Sequence, residues 1–402
     1  MNHDPKEFIR GIQQIVISDT KRIWFLAGAG TSIAIKNGAS ELSKVPGVKE
    51  MTDKIIALVT DEKQIKALTE IKQELTEKRI PFLIEYILSE IVQKELAIGK
   101  SVLCGLKKSE LMELRLFIEE EIKKMVSVHQ NEKSFVADLL HCDFAEWISH
   151  ASRKIPIEIF TTNYDYLFEI GLEHHNIPYF DGFIGAYKPF FEPASVEDLK
   201  LLPQWTKLWK LHGSLGWDKD DKTKRIFRAG KNEVKIIIFP SIFKYDNSRK
   251  QPYLSFMDRL SNFIKADDGV LFVCGYSFGD MHINDTILNA LDQTSSSHVI
   301  ACLFDDLYDN SDIANIAKER PNLSIYGKRN AVIGGKFGEW KLKVIPTPDD
   351  SIQIDSYFDE DAAEPDKAWT GQGDFKLVDF AKFVTFLKTL HYENFRLGLA
   401  TK

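Results

Sequence analysis

Apolar residues along this chain fall into two rhythms. Ile23-Trp24-Phe25-Leu26-Ala27 is an unbroken apolar run that stops at Gly28, and Val270-Leu271-Phe272-Val273-Cys274 stops in the same way at Gly275. Short unbroken runs ended by glycine predict strands of a parallel sheet, apolar on both faces because helices cover both. Ile157 to Phe160, Trp209 to Leu211 and Val299 to Phe304 read as further strands. Elsewhere the rhythm is helical. Residues 6–18 predict a short helix before the first strand. Ile65, Leu68, Ile71 and Leu75 recur at helical spacing, as do Leu111, Leu114, Ile118, Ile122 and Met125, with solvated charges between them. Pro81 suits the start of a new helix. No strand rhythm interrupts residues from about 50 to 150, which predicts a large helical insertion lying across a sheet.

Later segments keep alternating. A helix is expected through His174, then a Gly- and aromatic-rich loop with short strands from Phe180 to Phe191. Arg225–Arg228 and Val234–Phe239 predict a hairpin around Gly230-Lys231-Asn232. Helices follow from Tyr253 to Ile264 and up to Leu291. Strands alternating with helices predict an α/β fold, a Rossmann-like parallel sheet with right-handed crossovers. In such a sheet the polar loops at the strands' carboxyl ends converge on one crevice. Residues 1–348 are expected to form this domain. From Asp349 to Asp366 the chain turns acidic, with Asp355, Asp359, Glu360, Asp361 and Glu364 close together, and reads as a solvated linker. Phe380, Phe383, Val384, Phe386 and Leu387 then predict an amphipathic helix that can dock on its own domain or on a neighbour.

The bulk numbers narrow the function. A chain of 402 residues can bury a large core, and 44% hydrophobic with 28% charged residues is ordinary for a soluble protein. A net charge of −7 argues against direct nucleic-acid binding, which calls for a basic face. Met1 to Glu7 has no apolar signal core and no run approaches membrane-spanning length, so the cytoplasm is the expected compartment and no membrane partner is expected. Cys104, Cys142, Cys274 and Cys302 stand far apart, without zinc-ribbon or disulfide spacing, and are expected to be reduced. His174-His175 reads as a helix end, His141-Cys142 lacks further ligands nearby, and Trp205, Trp209 and Trp217 read as core or loop anchors.

Polar signatures follow the predicted strands. Gly28-Ala29-Gly30-Thr31-Ser32 is a glycine turn of the kind that lets backbone approach a phosphate. It departs from the dinucleotide fingerprint at Ile33, where a small residue is expected; Glu50, near the spacing of the ribose-binding acid, follows Pro46-Gly47 rather than a strand; and the P-loop lysine is missing. Three more signatures are Thr162-Asn163-Tyr164-Asp165, Leu211-His212-Gly213-Ser214 and Gly275-Tyr276-Ser277-Phe278-Gly279-Asp280. In this order they resemble a sirtuin-type NAD-binding domain over roughly residues 20–305. The resemblance implies that Gly28, Ala29, Gly30, Thr31 and Ser32 cradle the pyrophosphate of NAD, which is the substrate. Asn163 and Asp165 line the nicotinamide-ribose pocket, His212 is the general base, Ser277 contacts the adenosine half and Gly275 permits close approach.

Within that family the chain is most similar to the sirtuin-like proteins of bacterial anti-phage defence, through Gly275–Asn284 and Pro240–Tyr245. Asp181-Gly182-Phe183 and Gly334-Gly335-Lys336 resemble the subunit that pairs with a HerA-type hexameric ATPase, which implies an oligomer with that partner. The four-cysteine zinc module of the deacylases has no counterpart, so no zinc is expected; Gly38-Ala39-Ser40-Glu41-Leu42 supplies no matching arginine, and Thr162 stands where the deacylases have glutamine. These departures favour NAD glycohydrolase chemistry, with water as the acceptor. Two other readings use the same residues. One is a silent NAD- or ADP-ribose-binding sensor or scaffold, against which stand both Asn163 and His212. The other is a serine α/β-hydrolase with Gly275-Tyr276-Ser277-Phe278-Gly279 as the nucleophile elbow, which lacks an acid and then a histidine at later strand ends.

Overall fold

The strands are β1 (Asn2–His3), β2 (Arg22–Ala27), β3 (Glu158–Thr161), β4 (Tyr179–Phe180), β5 (Phe183–Ile184), β6 (Phe190–Phe191), β7 (Thr206–Lys210), β8 (Trp217–Lys219), β9 (Ile226–Arg228), β10 (Gly269–Cys274), β11 (His298–Cys302), β12 (Leu323–Tyr326), β13 (Asn330–Ile333), β14 (Lys336–Trp340), β15 (Phe358–Glu360) and β16 (Gly373–Phe375). They come from a computed structural model, which describes all residues except 37, 40, 151–152, 199–202, 221, 231–250, 348–352, 362–368 and 397–402. Ten of them form one sheet in the order β1-β14-β13-β12-β11-β10-β2-β3-β7-β4. From β12 to β4 every neighbouring pair is parallel; β13 and β14 add an antiparallel edge. The fold is α/β and Rossmann-like, with the expected helical insertion.

Alternation along β2 and β10 explains the layers. Ile23, Phe25, Ala27, Val270 and Phe272 face one core, under the helices Pro5–Ile17, Leu140–His150 and Phe380–Arg396. Trp24, Leu26, Leu271 and Val273 face the other, under the helices Tyr253–Ile264 and Met281–Leu291. Both faces are covered, so the strands need apolar residues at every position. The helices from Val48 to Val126 build a third core of their own. That core also takes in Leu167, Ile170 and Leu215, which belong to the segments following β3 and β7.

The C-terminal segment departs from a solvated linker. Phe358–Glu360 pairs with Gly373–Phe375, and Arg329 holds Asp361 at 2.6 Å and Asp374 at 3.0 Å. Acidic density here reflects capture by a guanidinium on the sheet edge rather than hydration alone. The helix beginning at Phe380 docks on its own sheet, with Phe383 beside Phe25 and Phe272. Ile226–Arg228 pairs with Trp217–Lys219 and touches Phe190; the Val234–Phe239 half of the expected hairpin and the Pro240–Tyr245 stretch lie outside the described residues. Gly334 and Gly335, both at positive φ, form the two-residue turn between β13 and β14. Among the described residues no helix is long and apolar enough to cross a membrane.

Candidate active site

Four adjacent parallel strands end on one line. Cys274 pairs with Ala27, Ala27 with Thr161, and Thr161 with Lys210. The first residue past that line still donates across the sheet: Gly28 N–H to Cys274 O (2.9 Å), Thr162 N–H to Ala27 O (3.1 Å) and Leu211 N–H to Thr161 O (2.8 Å). All four polar signatures therefore leave the sheet at one level and side by side. The chain passes from β2 to β3 and β7 on one side and returns as β10 on the other. Crossovers diverge at that point, which is where open α/β sheets form their ligand crevice.

Asn163 and His212 each stand two residues beyond the paired positions Thr161 and Lys210, at the mouths of neighbouring strands. Asn163 is held from within. Asp165 Oδ2 accepts from Ser32 Oγ at 2.7 Å, and a carboxylate paired this way leaves the serine oxygen to accept. Ser32 Oγ does accept, from Asn163 Nδ2 at 2.8 Å; the same amide nitrogen reaches Gly28 O (3.0 Å) and Thr31 Oγ1 (3.1 Å). This directional relay fixes the amide, turning its NH₂ inward and leaving Oδ1 for a hydroxyl or a water. The other Asp165 oxygen takes the backbone N–H of Leu167 at 3.0 Å. Asp165 is thus buried against Ser32 and the start of the helix Leu167–His174.

His212 meets a carboxylate that the sequence did not assign to it. Its Nε2 lies 3.0 Å from Asp280 Oδ2. Asp280 is the N-cap of the helix Met281–Leu291, and its Oδ1 accepts from His282 N–H at 3.0 Å. Tyr276 OH donates toward Asn284 Oδ1 (2.9 Å) and lies 3.1 Å from Asp280 O, while Asn284 Nδ2 donates to Phe278 O (2.7 Å). These bonds give the Gly-Tyr-Ser-Phe-Gly-Asp stretch its shape. Beneath the site, Lys210 is buried, pairs with Glu169 at 2.8 Å and donates to Asp165 O and to Ser214 Oγ. The lysine thereby ties the turn after β3 to the turn after β7. Burial raises the Glu169 carboxyl above its ordinary range, and Lys210 opposes that rise.

The glycine turn is packed more tightly than a ligand cradle alone requires. A Cβ on Gly28 would sit 2.4 Å from Gly275 O, and one on Gly30 would sit 2.6 Å from Gly275 Cα. Gly30 N–H donates to Gly275 O (2.8 Å) and Thr31 N–H to Gly28 O (3.0 Å), so these amides, like that of Gly28, are engaged within the protein. Ala29 occupies the first position of the short helix Ala29–Ile33, where its N–H has no intrahelical partner. Ser277 is exposed, and in this stretch positive φ falls on Gly275 and Phe278. A nucleophile elbow puts its strain on the serine itself, so the hydrolase reading loses its geometry. Glu50 lines a groove of about 550 Å3 with Ile33, Lys44 and Lys54; its hydrogen bond with Lys54 holds its carboxyl below the ordinary range.

Other candidates have structural roles. The imidazole of His141 is buried between Phe168 and Phe380. A hydrogen bond with Cys302, together with burial, pushes the Cys274 thiol well up, so it stays protonated. Trp209 and Trp217 are core residues, and Trp205 is exposed.

Compared with known families, residues 157–326 match the SIR2-like domain. The match runs from β3 to β12 and includes Asn163, His212 and the Gly275–Asp280 turn, but not the glycine turn after β2. No curated protein matches the chain.

Proposed function

We propose that this chain is an NAD glycohydrolase, cleaving NAD into nicotinamide and ADP-ribose with water as the acceptor. Its similarity to SIR2-like domains supports an NAD-dependent activity in general. What carries the narrower reading is the placement of Asn163 and His212 at equivalent positions beyond the paired residues of β3 and β7. Cleavage breaks the bond between ribose C1′ and the pyridinium nitrogen, and the electron pair leaves with neutral nicotinamide. Positive charge develops on the ribose, so the site needs positioning and a base near neutrality rather than a strong acid. Asn163, with its amide protons turned inward, offers Oδ1 to a ribose hydroxyl or to the water. His212 takes the proton that the water loses on forming its bond to C1′, histidine being the side chain suited to that pH range. The Ala29 amide, at the start of the short helix after β2, is the group offered to the pyrophosphate.

Loss of NAD is lethal to a cell, so such an enzyme must be restrained. Engagement of the Gly30 amide with Gly275 O across the two turns supports a resting glycine turn that must loosen to admit substrate. Activation during infection, through an oligomer or a HerA-type ATPase, completes the proposal. The test is nicotinamide release by the full chain, by His212→Ala and by Asn163→Ala, each with and without the candidate ATPase. The wild type should release nicotinamide, and each variant should fall by about 10²–10⁴-fold. A wild-type chain that retains NAD unchanged for hours under every condition is instead the sensor or scaffold.

A further inference from the structure

The pairing of His212 with Asp280 joins two signatures that are 68 residues apart in the chain, at the ends of strands on opposite sides of β2. Both groups are well shielded, with side-chain exposures of 12% and 7%. A histidine so held cannot rotate without breaking a charge-assisted hydrogen bond in a poorly hydrated place. The carboxylate is held as well, because its other oxygen accepts from the His282 amide at the start of the helix.

We propose that Asp280 is the positioning residue of this site: it holds the His212 imidazole by Nε2, fixes which nitrogen faces the ribose, and stabilises the imidazolium formed when His212 takes the water's proton. This deepens the hydrolase reading above and rests on it. With Nε2–H kept on Asp280, the proton arrives at Nδ1 and is later released to solvent. Asp280 remains ionised throughout, as the orienting carboxylate of a nucleophile–histidine–acid triad does. The Tyr164 ring lies 6.5 Å from that of His212, and burial, with Glu85, Tyr253 and Asp280 nearby, raises the Tyr164 hydroxyl so far that it stays protonated.

Two substitutions separate this role from the helix cap. Asparagine and serine both cap helices about as well as aspartate, so Asp280→Asn and Asp280→Ser should keep the helix start, and Asp280→Asn, which also keeps an oxygen facing His212, should fold with a melting temperature near that of the wild type. Neither carries the charge. The experiment titrates His212 by NMR in protein with labelled histidine, assigned by loss of its signal in His212→Gln, and measures nicotinamide release in parallel. Expected is a His212 midpoint at lower pH in both variants, because the carboxylate that favours the charged imidazole is gone. In the same variants kcat should fall at least about tenfold, with KM for NAD changed less than about threefold. A His212 midpoint that stays where it is in wild type overturns the proposal, whatever the activity. A midpoint that moves in a protein whose wild type never releases nicotinamide supports the positioning and overturns the hydrolase reading alone.

Discussion

Ser32 donates its hydroxyl proton to Asp165 across 133 residues of chain, at 2.7 Å, and so joins Gly28 O and Thr31 Oγ1 in fixing how Asn163 is presented. Replacing Ser32 by alanine removes the middle of the relay and leaves Asp165 Oδ2 buried without its donor. Unpaired buried acceptors cost about 1–3 kcal/mol, so the free energy of unfolding, read from urea denaturation, should drop by that amount. Nicotinamide release should fall, though less far than in Asn163→Ala because Gly28 O still holds the amide, and the double variant should be little worse than Asn163→Ala. Additive losses would show that Ser32 acts on substrate independently.

Gly28→Ala and Gly30→Ala test what the glycines are for. A methyl group at either position meets the backbone of Gly275 at 2.4–2.6 Å, without any ligand present. Expected is a loss of about 1–3 kcal/mol in ligand-free protein, read by urea or thermal unfolding. Unchanged stability combined with lost NAD binding would instead make them ligand-contact glycines only.

His141 gives the fold a pH dependence. Burial lowers its pKa from 6.5 to about 4, opposed by Asp165. The unfolded chain therefore binds a proton in a range where the folded chain does not, and stability falls as pH drops from about 6.5 to about 4. Above that window His141 contributes no slope. The fall amounts to about 3 kcal/mol at most, from a pKa difference of this size. His141→Leu should flatten this part of the curve, as measured by urea midpoints between pH 7 and pH 4. A variant whose slope matches that of wild type would assign the effect elsewhere.

Phe383 tests the docking of the last helix. Fully buried between Phe25 and Phe272, it should cost about 3–5 kcal/mol when truncated to alanine. Thermal unfolding should show the loss as one cooperative transition, because this helix shares its core with the central strands. A separate early transition would mean that it folds as an appendage.

Unbroken apolar runs made β2 and β10 legible, and period-3.6 spacing placed the helix Tyr253–Ile264 with the same bounds that the structure has. The pairs that build the site were not legible. Ser32 with Asp165, and His212 with Asp280, meet only because the strands share a register, which no local pattern encodes. One signal was available: Lys210 interrupts a buried strand, and a cation there requires an acid, which Glu169 supplies. Glycine at 28 and 30 read as room for a ligand because a sequence does not show that a neighbouring turn occupies the same space. The acidic tail read as hydrated because its partner, Arg329, belongs to the turn between β12 and β13.

The common level at which the four strands end separates what can vary in this protein from what cannot. Between β2 and β3 the chain makes an excursion of more than a hundred residues, and its length has no bearing on where Asn163 stands. Lengthening a connection between its helices, away from the Gly28–Ser32 turn and from the helix faces that pack Leu167 and Leu215, would leave the chemistry in place, so new recognition surfaces can be grafted there. Deleting a single residue inside β3 would shift Asn163 by about 3.3 Å relative to His212 and turn the strand's inward side chains outward.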